Sequence, residues 1–125
     1  MSVLLDSDVV IEILRSRNPA VLIQWEDLAK TSEAILFSPI TAAEVWAGAR
    51  AVERDATSRF FKLLTCISPD YAIGRLAGEL LGQFSKSHGL KLADALIAAT
   101  AIEHQAALWT PNRKHYPMPQ LNFFG

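Results

Sequence analysis

The chain reads as a three-layer α/β/α domain on a central, mainly parallel sheet of five strands, and three observations predict this. Short uncharged apolar runs, among them Val3-Leu4-Leu5, Ile35-Leu36-Phe37 and Ala107-Leu108-Trp109, have the composition of strands buried on both faces. Longer segments with helical apolar spacing lie between them, and strand alternating with helix means parallel pairing. A chain of 125 residues, half of them apolar, is long enough to bury a real core as one domain spanning residues 1–125. No internal repeat, linker or low-complexity segment interrupts it.

The first strand, Val3-Leu4-Leu5, stops on acid: Asp6-Ser7-Asp8 falls in a strand-to-helix turn before Val9-Val10-Ile11 and Ile13-Leu14 begin a helix, which Asp8 is placed to cap. Asn18-Pro19 starts a second helix through Val21, Leu22, Trp25 and Leu28. Ile35-Leu36-Phe37 is the second strand, ended by Ser38-Pro39, with Thr41 as cap of a helix carrying Ala42 to Ala51. An amphipathic helix from about Asp55 to Leu64 precedes a short third strand at Cys66-Ile67. Ser68-Pro69-Asp70 opens a long helix in which Ile73, Leu76, Ala77, Leu80, Leu81 and Phe84 form a core-facing stripe. Beside that stripe run Gly74, Gly78 and Gly82; each costs about 1 kcal/mol against alanine in a helix, so three in register suggest close approach of another backbone, within the monomer or across a dimer seam. Ser87-His88-Gly89 ends this helix, and an Ala-rich one runs from Leu92 to about Gln105. Ala107-Leu108-Trp109 is the fourth strand, Pro111-Asn112 a turn, and Leu121 to Phe124 the fifth strand.

A net charge of −1 argues against a strongly basic nucleic-acid coat and leaves room for a local basic rim. The one cysteine, Cys66, excludes a disulfide framework, suits a reducing compartment and reads as a small buried hydrophobe. No basic segment followed by a long apolar stretch opens the chain, and no apolar run reaches ~18 residues, so a soluble, cytoplasmic protein is expected.

Most of the acids lie beside Lys or Arg on polar faces; Asp6, Glu44 and Asp94 do not. Asp6 ends a buried strand, where a carboxylate is desolvated unless something positive faces it. Glu44 sits in the apolar Ile40-Thr41-Ala42-Ala43-Glu44-Val45-Trp46, and Asp94 shares a helix face with Ile97, Ala98 and Ala101. Each follows a different strand, so all three can converge on one sheet edge, where open α/β sheets bind ligands. Converging carboxylates repel unless a divalent cation joins them, and all-oxygen ligands suit Mg²⁺ or Mn²⁺ rather than zinc. Such a metal polarises a phosphate oxygen and activates water, with a metal-free carboxylate as base. Ser7 and Thr110 offer hydroxyls at strand ends. Arg50, Arg54, Arg59, Lys62, Arg113 and Lys114 offer cations to an RNA backbone. Tyr116 and His115 are placed either to stack on a base or to anchor a surface loop.

Four segments in order, Leu4-Leu5-Asp6-Ser7-Asp8-Val9-Val10-Ile11, Ile40 to Val45 with Gly48, Leu92-Ala93-Asp94-Ala95-Leu96-Ile97-Ala98-Ala99-Thr100-Ala101 and Leu108-Trp109-Thr110-Pro111-Asn112-Arg113-Lys114-His115-Tyr116, resemble the PIN domain, specifically the VapC toxins of toxin-antitoxin pairs. The resemblance spans essentially the whole chain. It implies a Mg²⁺- or Mn²⁺-dependent endoribonuclease, a homodimer and a cognate VapB antitoxin that occludes the site. Carried over by motif, Asp6, Glu44 and Asp94 are the acidic metal-binding residues, and Asn112 takes a fourth place where many relatives have Asp.

Two other functions are compatible with parts of the pattern. Asp6-Ser7-Asp8 after a strand also resembles the opening of haloacid-dehalogenase-type phosphatases, but these want a further acidic pair late in the chain, and Glu103 is the only acid beyond Asp94. A catalytically inactive module that only binds RNA or protein needs no intact acid triad, and here the triad is intact.

Overall fold

The computed structural model describes residues 1–125. Its sheet has four parallel strands, β1 (Val3–Leu5), β2 (Ile35–Phe37), β3 (Thr65–Cys66) and β4 (Ala107–Trp109), in the order β3-β2-β1-β4. Helices α1 (Ser7–Arg15) and α2 (Pro19–Ala29) connect β1 to β2; α3 (Pro39–Gly48) and α4 (Arg54–Lys62) lead to β3; α5 (Tyr71–His88) and α6 (Leu92–Glu103) lead to β4. The expected fifth strand shrinks to one bridge, Phe123 beside Leu108, with Leu108 N–H donating to the Asn122 carbonyl at 2.8 Å. The chain reaches the β4 edge only after the turn beyond Pro117 and Pro119, and Leu121 and Phe124 on either side of the bridge pack into opposite cores.

Alternation along β1 sets the layers. Leu4 packs with α5, α6, Tyr116, Met118 and Leu121 on one face; Val3 and Leu5 pack with Val9, Val10, Ile13, Leu28, Val45, Phe60 and Trp109 on the other. Both faces of the central strand are therefore dry, which is why it carries no polar residue. Strand β1 lies between β2, reached through one layer of helices, and β4, reached through α5 and α6, so the order of connection reverses at β1. That switch point is where an open α/β sheet leaves a crevice at its carboxyl edge.

Local chemistry moves several boundaries. Asp6, not Asp8, caps α1, its carboxylate accepting the Ser7 N–H. Ser38 caps α3, accepting the Ile40 N–H, and Pro39 fits the first helical position because its missing N–H needs no partner there. Thr41 is inside α3, and its hydroxyl donates to the Leu5 carbonyl at 3.3 Å. Asp70 caps α5 through the Ile73 N–H, and Gly89 closes that helix at φ +65°, in the left-handed region that favours glycine. Cys66 is exposed rather than buried, because β3 is the sheet edge, where both of its residues are exposed. No backbone approaches Gly74, Gly78 or Gly82: a Cβ at any of them would meet open space. The glycine row is thus a free surface of the monomer. No helix is long and apolar enough to cross a membrane.

Candidate active site

Asp6 extends from the end of β1 with only 7% of its surface exposed. Both its oxygens are engaged: Oδ1 accepts the Ser7 N–H at 2.8 Å, and Oδ2 accepts the Thr110 hydroxyl at 2.7 Å and the Tyr116 hydroxyl at 3.3 Å. Thr110 follows β4 directly, so parallel pairing of β1 and β4 puts these residues side by side although 104 positions separate them. Burial raises the Asp6 carboxyl above its ordinary value, the Thr110 and Ser7 donors oppose this, and the charges of Asp8 and Asp94 add to it.

Asp94 lies in the first turn of α6, where a negative charge suits the positive end of the helix dipole. It is half-buried, and its Oδ1 accepts from Tyr116 at 3.4 Å. Glu44 stands on α3, exposed at the rim; partial burial raises its carboxyl, the Ser7 side chain opposes, and the charges of Asp6, Asp94 and Asp8 add. These mutual effects place the four acids in one electrostatic neighbourhood. None of them pairs with a Lys, Arg or His; every ion pair in the molecule lies elsewhere.

Asn112 faces Asp8 rather than the buried pair. Its Nδ2 donates to Asp8 Oδ2 at 2.6 Å, and its backbone N–H donates to the Thr110 hydroxyl at 3.1 Å. An aspartate at this position has no proton with which to make the first contact. Tyr116, which the sequence leaves between base stacking and loop anchoring, is buried at 4% exposure, and its hydroxyl touches both Asp6 and Asp94. Burial and the two carboxylates push its phenol far above the ordinary value, so it stays a proton donor.

The basic candidates divide. Arg50 pairs with Glu53, which also holds Arg15 and is lowered to about 2 by these contacts. Arg54 stacks over Trp46 at 4.9 Å, and Arg113 donates to the carbonyls of Phe124 and Gly125. Arg59, Lys62 and Lys114 are exposed and make no ion pair. A polar cleft of about 220 Å³ beside Asp94 is lined by His88, Gly89, Lys91 and His115. His88 ends α5 and Lys91 is the N-cap of α6, on either side of Gly89-Leu90, where the one sequence signal is the glycine.

The donor set fits a hard divalent cation: carboxylate oxygens only, close enough that neighbouring charges add to the raising of Asp6 and Glu44, with no cation in contact. No three Asp, Glu, His or Cys side chains already converge on one point. The Tyr116 hydroxyl lies between Asp6 and Asp94, whereas Glu44 and Asp94 retain the exposure that lets their side chains turn.

A family model described as PIN domain matches residues 3–119. Among curated proteins, the chain is 34% identical to ribonuclease VapC19 of Mycobacterium tuberculosis, covering 92% of each, and 33% identical to ribonuclease VapC10 of the same species, covering 93% of this chain and 86% of that one. Among solved structures it superposes on a chain of VapBC2 from Rickettsia felis bound to a promoter DNA fragment, with a TM-score of 0.85, 24% identity and 99% of this chain covered against 98% of that one. VapBC-1 from nontypeable Haemophilus influenzae gives 0.81 at 22% identity, covering 99% and 97%. At these identities the structural likeness establishes the fold.

Proposed function

This chain belongs to the PIN-domain family, and from that membership we propose that it is a Mg²⁺- or Mn²⁺-dependent endoribonuclease, the toxin of a type II toxin-antitoxin pair that cuts tRNA or rRNA to halt translation and growth. The observation that carries the reading is the acidic neighbourhood at the switch point, where Asp6, Asp8, Glu44 and Asp94 lie close enough for their charges to act on one another without one basic partner. A fold that buries a carboxylate at a strand end and leaves its neighbours unneutralised is arranged for a cation or a cationic partner.

Asp6, Glu44 and Asp94 would hold the metal, which when bound supplies Lewis-acid polarisation of a phosphodiester oxygen and a lowered pKa for a coordinated water. The chain's own groups do the rest. Ser7 N–H and Thr110 hold Asp6 in place. A carboxylate of the cluster that stays off the metal accepts the attacking water's proton. Lys114, Arg59 and Lys62, free of internal partners, contact RNA phosphates, with Arg50, Arg54 and Arg113 shaping the surface around them. Asn112 orients Asp8 and the turn after β4.

The curated relatives are named ribonucleases, and the solved neighbours include toxin-antitoxin complexes, some with DNA. These support a VapB-type antitoxin that closes the site with a basic side chain among the acids, an Arg taking over the metal's charge. The open face of Gly74, Gly78 and Gly82, with Tyr71 exposed on the same helix, suits a homodimer seam, which sedimentation measures directly. A free, exposed Cys66 fits the reducing cytoplasm.

The test is cellular and biochemical together. Expression alone arrests growth, co-expression of the antitoxin from the neighbouring gene restores it, and RNA cleavage by the purified protein stops in EDTA and returns with Mn²⁺. Unaffected growth together with intact RNA would overturn the reading.

A further inference from the structure

Asp94 has one side-chain hydrogen-bond partner in the whole molecule, the Tyr116 hydroxyl. Asp6, by contrast, is also held by Ser7 N–H and Thr110. Tyr116 directly follows the 3₁₀ turn Arg113–His115 and, at 4% exposure, belongs to the buried core that also holds Leu4, Ala95, Leu108 and Met118, which limits where its hydroxyl can stand. It comes from the third of three separate elements: Asp6 from the end of β1, Asp94 from the start of α6, Tyr116 from the segment after β4. Its distances to the two carboxylates, 3.3 and 3.4 Å, are nearly equal, as for one O–H shared between two acceptors.

We propose that Tyr116 is a positioning residue of the metal site, whose buried hydroxyl sets the direction of Asp94 and its separation from Asp6 so that each carboxylate keeps an open acceptor position for the cation. This rests on the metal-dependent reading above. Asp6 Oδ2 accepts two hydroxyls while Oδ1 accepts only the Ser7 N–H, so one acceptor position of Oδ1 stays open; Asp94 is held by Oδ1, leaving Oδ2. Outer donors of this kind orient ligands before the metal arrives, and losing one typically lowers metal affinity about 10- to 100-fold. Without the hydroxyl, Asp94 turns freely and must be ordered by the cation itself. Asp6, with two other donors, stays in place.

The test is calorimetric titration of the full chain with MnCl₂ for wild type and Tyr116→Phe, beside melting curves in EDTA and RNA cleavage across a Mn²⁺ series. The ring is retained in Tyr116→Phe, so the metal-free melting temperature should stay close to wild type. Mn²⁺ affinity should fall about 10-fold or more, and cleavage should recover toward the wild-type rate as Mn²⁺ is raised. Affinity equal to wild type would overturn the positioning role, and tighter binding would overturn it by making the hydroxyl a competitor of the metal. A loss of melting temperature with affinity unchanged would leave Tyr116 as a packing residue only. No heat from wild type would overturn the metal reading itself, and the positioning role with it.

Discussion

Asp6 links burial, charge and pH in one side chain. Its carboxyl is raised chiefly by burial, so between about pH 4, where an unperturbed aspartate loses its proton, and its higher folded value, the folded protein holds a proton that the unfolded chain has released. Stability of the metal-free protein therefore falls as pH rises through that window and stays lower at neutral pH. Melting curves in EDTA across it should slope downward for wild type and flatten for Asp6→Asn; an equal slope in the variant would assign the effect to Glu44, which is raised in the same direction. Asn112 is the other informative residue. Its amide donates to Asp8, so Asn112→Asp should cost about 1 kcal/mol of metal-free stability through the lost hydrogen bond and a new like-charge contact, while adding a negative charge that tightens Mn²⁺ binding. Calorimetry beside thermal melts separates the two, and unchanged affinity with a lowered melting temperature would make Asn112 a turn residue only. Asp6 and Asp94 stand out in sequence because each carboxylate lies in an apolar run, where burial is costly to a charge. Tyr116 is not, because a lone aromatic after a turn has many uses, and its role depends on contacts 110 and 22 positions away.

At the scale of elements, the site is assembled by caps and strand ends. Ser38, 1% exposed, caps the helix that carries Glu44, and Asp6 caps α1 while facing the cluster. Ser38→Ala should lower stability by about 1 to 2 kcal/mol and reduce cleavage further than the stability loss explains, since α3 sets where Glu44 stands. Urea unfolding and cleavage rates on the same preparation check this; equal activity would detach Glu44 from the mechanism. Strand composition and helix starts at Pro19 and Asp70 were readable from local propensity. The shortfall lies where local sequence leaves the choice open: Ser38 and Thr41 are both competent caps, and burial of Thr41 against the Leu5 carbonyl decides between them. Leu121 to Phe124 has strand composition, yet it meets β4 for a single bridge.

For the whole molecule, parallel order β3-β2-β1-β4 gathers acids from β1, α3 and α6 at one carboxyl edge, with hydroxyls from Thr110 and Tyr116 behind them. The alternation of strand and helix foretells their place on a shared edge but not that no three of them yet converge on one point, and only the folded monomer shows that the glycine row on α5 lies open. The central claim is that this edge cuts RNA through a cation held by its carboxylates. Its most direct measurement is cleavage of a single-stranded or looped RNA by purified wild type, Asp6→Asn and Asp94→Asn in Mn²⁺, with melting curves confirming that all three are folded. The account predicts cleavage by wild type alone, with both variants at least as stable as wild type in EDTA because repulsion in the cluster has fallen. Undiminished cleavage by either folded variant would contradict it.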